Sequence, residues 1–315
     1  MKFCYVTLLF CHNNKCDYLE GVILTGLGLR KQNVKYKMIC LVTPDVSKKD
    51  REIILEIWDK IIEIEYISPV KELNGIIINE KFFNPDYKKN NNSWLKVFTK
   101  MHIFNKNILP YDKVLFVDSD LIPIKDFDNI FNEYDTPAGW LELVIANKNN
   151  TFNITWGEHV FNDNEIIDSA FTDISQGPFT INAGLLLVKP DKNTFDEIII
   201  ELKSDSKIES IDLDGIKKSF YWCPEQAYLT KKFSGEWHYI NHFYNSWGYH
   251  NDKCKSLHMA GLFYIINNKK VNAKTWQIQN KTPDCFNIKT NEIGNWGIQK
   301  YKNLENILFK NLKII

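Results

Sequence analysis

The chain has no excess of charge of either sign: 39 Lys and Arg balance 39 Asp and Glu over 315 residues. Without a global positive field, binding to nucleic acid through its phosphates is disfavoured. Arginine is nearly missing, with only Arg30 and Arg51. There is no CxxC pair among the seven cysteines (Cys4, Cys11, Cys16, Cys40, Cys223, Cys254 and Cys285), which argues against a structural zinc site. Their odd number points to free thiols in a reducing compartment. No apolar run approaches the ~20 residues of a membrane-spanning helix. The opening "MKFCYVTLLFC" has one lysine, a short apolar stretch and no small-residue cleavage site after it, so it reads as a first strand. The cytoplasm is therefore the expected compartment, with a secretory route as the alternative. No Pro-, Gly- or Ser-rich linker divides the chain, which predicts a single domain over 1–315.

What is present is α/β patterning. "FCYVTLLF" (3–10) reads as a buried strand, "YLEGVILTGLGLR" (18–30) as a helix interrupted by glycines, and "YKMICLVT" (36–43) as a second strand. A helix over 46–58, with Ser47 as a cap, leads to a third strand over 61–67. Strands alternating with helices imply a parallel sheet. "WLKVFTKMHIFN" predicts a helix, "KVLFVDSD" a fourth strand, "FTINAGLLLVKP" (179–190) another, and "NTFDEIIIELKS" and "CPEQAYLTKKF" two more helices. "KSLHMAGLF" places His258 at the end of a late strand, and 290–315 reads as an amphipathic helical extension.

"FVDSDLIPI" (116–124) sets two carboxylates one residue apart at the end of an apolar strand. Aspartate is depleted in strands, and ligands of open α/β sheets bind at the carboxyl ends of strands. Residues i and i+2 on a strand share a face, so Asp118 and Asp120 would repel unless a cation sat between them. Hard oxygen ligands suit Mg²⁺ or Mn²⁺, with open positions left for phosphate oxygens.

"YVTLL", "LVTPDVS", "TKMHIF", "VLFVDSDLIPI", "INAGLLLVKP", "PEQAYL" and "HMAG" follow one another in that order. Together, over roughly residues 3–264, they resemble the glycogenin-like retaining glycosyltransferases of family 8. The resemblance implies a GT-A fold, a mixed Rossmann-like sheet with flanking helices, and a UDP-sugar donor used with Mn²⁺ (Mg²⁺ as the alternative). It implies Asp118, Asp120 and His258 as metal ligands. Thr7, Leu8, Tyr18, Lys100, Asp118, Ser119 and Gly261 are implied as donor-binding, with Tyr18 stacking on uracil and Gly261 approaching the diphosphate. Asn182 of "NAG" and the pair Glu225–Gln226, where the family has "DQ", are implied at the reaction centre. After "HMAG" the family lysine position holds Tyr264, with Lys269, Lys270 and Lys274 as alternative sources of that charge.

The stretch 141–178 is an insertion relative to glycogenin, and the acceptor side is expected there because loops over a site carry specificity. The implied activity is transfer of a hexose, glucose first, to a glycan or protein hydroxyl, with no nucleic acid, no membrane span and a homodimer as a candidate assembly. "HFYNSWGYH" (242–250) keeps Tyr244 and Asn245 of a family "YN" and has Tyr249 nearby, so self-glucosylation stands as an alternative. Two others are a haloacid-dehalogenase-like phosphatase, whose first motif is also an apolar strand and DxD, and a UDP-sugar-binding protein without turnover.

Overall fold

The structure is a computed structural model that describes residues 1–11, 16–67, 96–146, 152–154, 179–203, 224–245, 253–258, 263–266 and 269–272. The chain divides into two compact units. One comprises Phe3–Ile64, Leu115–Glu133 and the residues from Asn241 on. The other comprises Met1–Lys2, Glu65–Val114 and Tyr134–Ile240.

The first unit begins with β1 (Phe3–Leu9), α1 (Leu19–Lys31), β2 (Lys37–Val42), α2 (Lys48–Leu55) and β3 (Lys60–Glu63). β1 pairs with β2 and β2 with β3, all parallel, and β4 (Lys113–Val117) lies beyond β1 in the order β3-β2-β1-β4. Every residue of β1 is buried, as expected of a parallel strand covered on both faces. Ser47 caps α2 as its sequence position predicts, its side chain accepting a hydrogen bond from the Asp50 amide at 3.2 Å.

Two of the three glycines that interrupt the α1 pattern, Gly26 and Gly28, are packing positions. A Cβ on Gly28 would stand 2.5 Å from the carbonyl oxygen of Pro123, and one on Gly26 would stand 2.6 Å from the Trp58 ring nitrogen. The helix keeps these two glycines because β5 (Leu121–Pro123) and Trp58 come that close. The third strand ends earlier than its alternating pattern suggests, at Glu63, although Ile64 still donates to the Val42 carbonyl at 2.9 Å.

The second unit holds a 3₁₀ segment over Lys96–Phe104, where the apolar pattern predicts an α-helix. Phe98 through Phe104 are all buried, so contacts on every side, not an amphipathic stripe, set the winding. β6 (Ala138–Ala146) pairs antiparallel with β7 (Phe152–Ile154) and with β8 (Phe179–Val188), and parallel with β9 (His238–Tyr239). Parallel and antiparallel pairings together make the chain a mixed α/β protein. The helices that the apolar spacing predicts after β8 are Lys192–Lys203 and Pro224–Lys232.

The expected 141–178 insertion starts inside β6 and includes β7; its other residues, and the 290–315 extension, lie outside the described residues. No helix among the described residues is long and apolar enough to cross a membrane. Among the described residues Cys4, Cys40 and Cys254 are buried and outside any disulfide, whereas Cys11 and Cys16 are joined as one. That pairing departs from the expectation of free thiols in a reducing compartment. The cause is spatial: the end of β1 and the approach to α1 return close together, with Cα atoms 4.3 Å apart.

Candidate active site

In the first unit the two acids lie on a turn, not on the strand itself. β4 ends at Val117, and the Leu121 amide donates to the Asp118 carbonyl at 3.0 Å, closing a turn over Asp118–Leu121. This corrects the expectation that strand alternation puts both carboxylates on one face. Asp118 is half-buried and its Oδ1 accepts the Ser119 amide at 3.2 Å, while Asp120 is only 5% exposed. From α1, Thr25 Oγ1 donates to the Leu121 carbonyl at 3.1 Å and so holds the turn against the helix.

His258 reaches this turn by strand pairing. β10 (Ser256–His258) runs antiparallel to β5 in a register that sets His258 opposite Leu121. Its Nε2 then stands 3.4 Å from Asp120 Oδ1, with both side chains buried. On the other side of the ring, Nδ1 lies 2.7 Å from Asn245 Oδ1. Asn245 is fully buried at the end of a 3₁₀ turn (His242–Asn245), anchored where Ser256 Oγ donates to the Tyr244 carbonyl at 2.7 Å.

Asn245 is the residue of this cluster whose part the motif pattern did not reveal. The retained "YN" pair was its only signal. Carboxylate and imidazole donors suit Mn²⁺, and a ligating histidine commonly has its second ring nitrogen held by an oxygen. The donor set therefore fits a divalent ion, although among the described residues no three His, Cys, Asp or Glu side chains already converge in metal-binding geometry.

Of the other expected donor-binding residues in this unit, Thr7 and Leu8 are interior positions of β1. Thr7 Oγ1 is buried without a hydrogen-bond partner among the described residues. Tyr18 is half-buried at the start of α1, and Ser119 is buried in the turn. Gly261 and Tyr249 lie outside the described residues, while Tyr264 falls on β11 (Phe263–Ile266).

In the second unit, four expected residues come together around an irregularity in β8. The β6–β8 register jumps from Gly139 opposite Leu186 to Trp140 opposite Asn182, so Ala183–Leu185 bulge from the ladder. Side chains take up the backbone groups freed there. Asn182 Oδ1 accepts the Gly184 amide at 2.9 Å, and Gln226 Oε1 accepts the Ala183 amide at 2.8 Å. Lys100 Nζ donates to the Ala183 carbonyl at 3.0 Å and lies 3.4 Å from Glu225 Oε1.

Glu225 is 6% exposed, and its second oxygen, Oε2, has no hydrogen-bond partner among the described residues. Thr230 Oγ1 fixes the helix beneath the pair, donating to the Gln226 carbonyl at 2.6 Å and accepting from the Ile181 amide at 2.9 Å. A buried cation, a buried carboxylate and two amides around a displaced "NAG" segment can present charge and hydrogen bonds to a polyhydroxylated ligand.

Parallel strands closed by an acid-bearing turn, with a histidine beside it, suit a glycosyltransferase, and comparison with known proteins agrees with that class. The chain belongs to glycosyl transferase family 8, whose model matches residues 10–262. The protein R707 of Acanthamoeba polyphaga mimivirus, described as uncharacterized, is 29% identical over 247 residues, covering 78% of this chain and 72% of that protein. Galactinol synthase 6 of Arabidopsis thaliana is 28% identical over 207 residues, 63% of this chain and 54% of the synthase. The chain thus spans about half the length of that synthase. Among solved structures, the galactosyltransferase LgtC bound to donor and acceptor sugar analogues aligns over 96% of this chain and 99% of its own, at 14% identity and a TM-score of 0.48. That likeness is too loose to carry chemistry.

Proposed function

We propose that the chain is a retaining, metal-dependent hexosyltransferase that moves a sugar from a UDP-sugar to a hydroxyl acceptor. Family membership supports the transfer reaction, and one observation carries the metal-dependent reading: the β5–β10 register brings His258 to 3.4 Å from Asp120. Asp118, Asp120 and His258 would hold Mn²⁺, with Mg²⁺ as the alternative. A bound divalent ion would offset the charge that builds on the departing diphosphate.

The chain's own groups supply the rest. Lys100 brings a buried positive charge, and Glu225 brings a carboxylate oxygen available to a sugar hydroxyl. Asn182 and Gln226 shape the bulged backbone. Retention by front-face attack forms the bond from acceptor oxygen to anomeric carbon as the bond to the UDP oxygen breaks, and the acceptor proton passes to the departing phosphate oxygen. UDP-glucose is the first donor to test. UDP-galactose is second, because relatives carry the name galactinol synthase.

The test is calorimetry of UDP with and without Mn²⁺. Wild type should bind UDP much more tightly with Mn²⁺, and Asp120→Ala should lose that increment. Equal UDP affinity in the two proteins would overturn the metal assignment.

A further inference from the structure

The contacts on the two sides of the His258 ring are unequal. Nδ1 is 2.7 Å from Asn245 Oδ1, the length of a strong hydrogen bond, whereas Nε2 is 3.4 Å from Asp120 Oδ1. A charge-assisted N–H to carboxylate bond would be about 2.7–2.9 Å. An amide oxygen can only accept, so the ring proton sits on Nδ1 and donates to Asn245. In the neutral ring Nε2 then carries the lone pair and faces the Asp120 carboxylate, where a cation could join the two. Asn245 has little freedom to change partner, since it is fully buried and its carbonyl neighbour Tyr244 is tied to β10 through Ser256.

We propose that Asn245 is a positioning residue for the divalent metal site: it fixes His258 in the Nδ1–H tautomer and orients Nε2 as a ligand. The inference rests on the metal-dependent reading of this site. Free histidine side chains favour the opposite tautomer, so without Asn245 the ring would carry its proton on the ligating nitrogen and would have to surrender it before binding metal. Holding the second nitrogen of a ligating histidine typically improves metal affinity by about 10- to 100-fold.

¹⁵N-histidine NMR of the metal-free protein reads the tautomer directly. Where the ring is neutral, wild type should show a protonated Nδ1 and an unprotonated Nε2 for His258, and a neutral ring protonated on Nε2 would overturn the proposal with no variant required. Mn²⁺ titration followed by electron paramagnetic resonance gives the second readout. Asn245→Ala should weaken Mn²⁺ binding about 10- to 100-fold and shift the ring toward the Nε2–H form. Asn245→Asp, which keeps an acceptor oxygen at Nδ1, should hold the Nδ1–H form and bind Mn²⁺ at least as tightly as wild type. If folded Asn245→Ala binds Mn²⁺ as tightly as wild type, the positioning role fails and the metal site stands. If wild type itself binds no Mn²⁺, the metal-dependent reading fails and takes this inference with it.

Discussion

At the scale of single residues, buried charge separates stability from chemistry. Lys100 and Glu225 are both buried and 3.4 Å apart. Removing the Glu225 carboxylate takes a buried counter-charge away from Lys100, a loss of up to about 3–5 kcal/mol. Glu225→Ala should therefore lower the urea midpoint markedly. Replacing both, as Lys100→Met with Glu225→Leu, should recover most of that stability, because two matched apolar groups need no solvation. Transfer activity should stay lost in the double variant. Recovery of activity along with stability would show the pair to be a structural strut.

Gln226 calls for a similar separation, since its Oε1 already accepts the Ala183 amide. Gln226→Ala strands a buried donor, which costs about 1–3 kcal/mol, so its lost turnover would be ambiguous. Gln226→Glu keeps an acceptor oxygen for Ala183. It should stay folded with UDP affinity nearly unchanged while kcat falls by orders of magnitude, the mark of an interaction made mainly in the transition state. Full activity in Gln226→Glu would reduce the residue to a support for the bulge.

His102 titrates in a window of its own. Its burial holds the ring pKa below the usual 6.5, against the opposing effect of the 2.9 Å hydrogen bond between Nε2 and the Glu65 carbonyl. The unfolded chain therefore takes up a proton that the folded chain resists as pH falls through 6.5. This contribution to stability is complete above that pH and is lost below it. Urea midpoints at pH 7.5 and 5.5 should show a drop that His102→Gln reduces.

At the scale of elements, the turn that bears the acids depends on how closely α1 approaches β5. Gly28→Ala would drive a Cβ to 2.5 Å from a backbone carbonyl, which cannot swing aside as a side chain could. The helix would have to lift, at a cost of about 1–3 kcal/mol for overpacking. Because β5 carries the β10 pairing and with it His258, weaker Mn²⁺ binding should accompany the lower melting temperature. Ser47→Ala, far from these elements in sequence, should cost about 1 kcal/mol through the lost α2 cap and leave Mn²⁺ affinity untouched.

At the scale of the whole molecule, family membership makes donor turnover the decisive measurement. UDP-glucose or UDP-galactose should be hydrolysed slowly in the presence of Mn²⁺. Chelation should abolish this and added Mn²⁺ should restore it. A preference for a donor that is not a UDP-sugar would overturn the proposed chemistry.

Much of the architecture was legible in the residues themselves. β1, β2 and β4 are apolar runs, α2 announces its own cap at Ser47, and the ordered motifs from "YVTLL" to "HMAG" are enough to place the chain in its family. These features are local, set by side-chain periodicity and backbone preference over a few residues, and so they survive in the sequence. What decides the candidate site is not local. Asp118 and Asp120 sit on a turn because hydrogen bonds from α1 and across the turn end β4 at Val117. The ring of His258 is set between Asp120 and Asn245, and Lys100 finds Glu225 125 residues further along the chain. Residue spacing cannot encode which groups strand register and burial will press together. Only the tertiary structure, in which most buried polar atoms find a partner at hydrogen-bond distance, decides that.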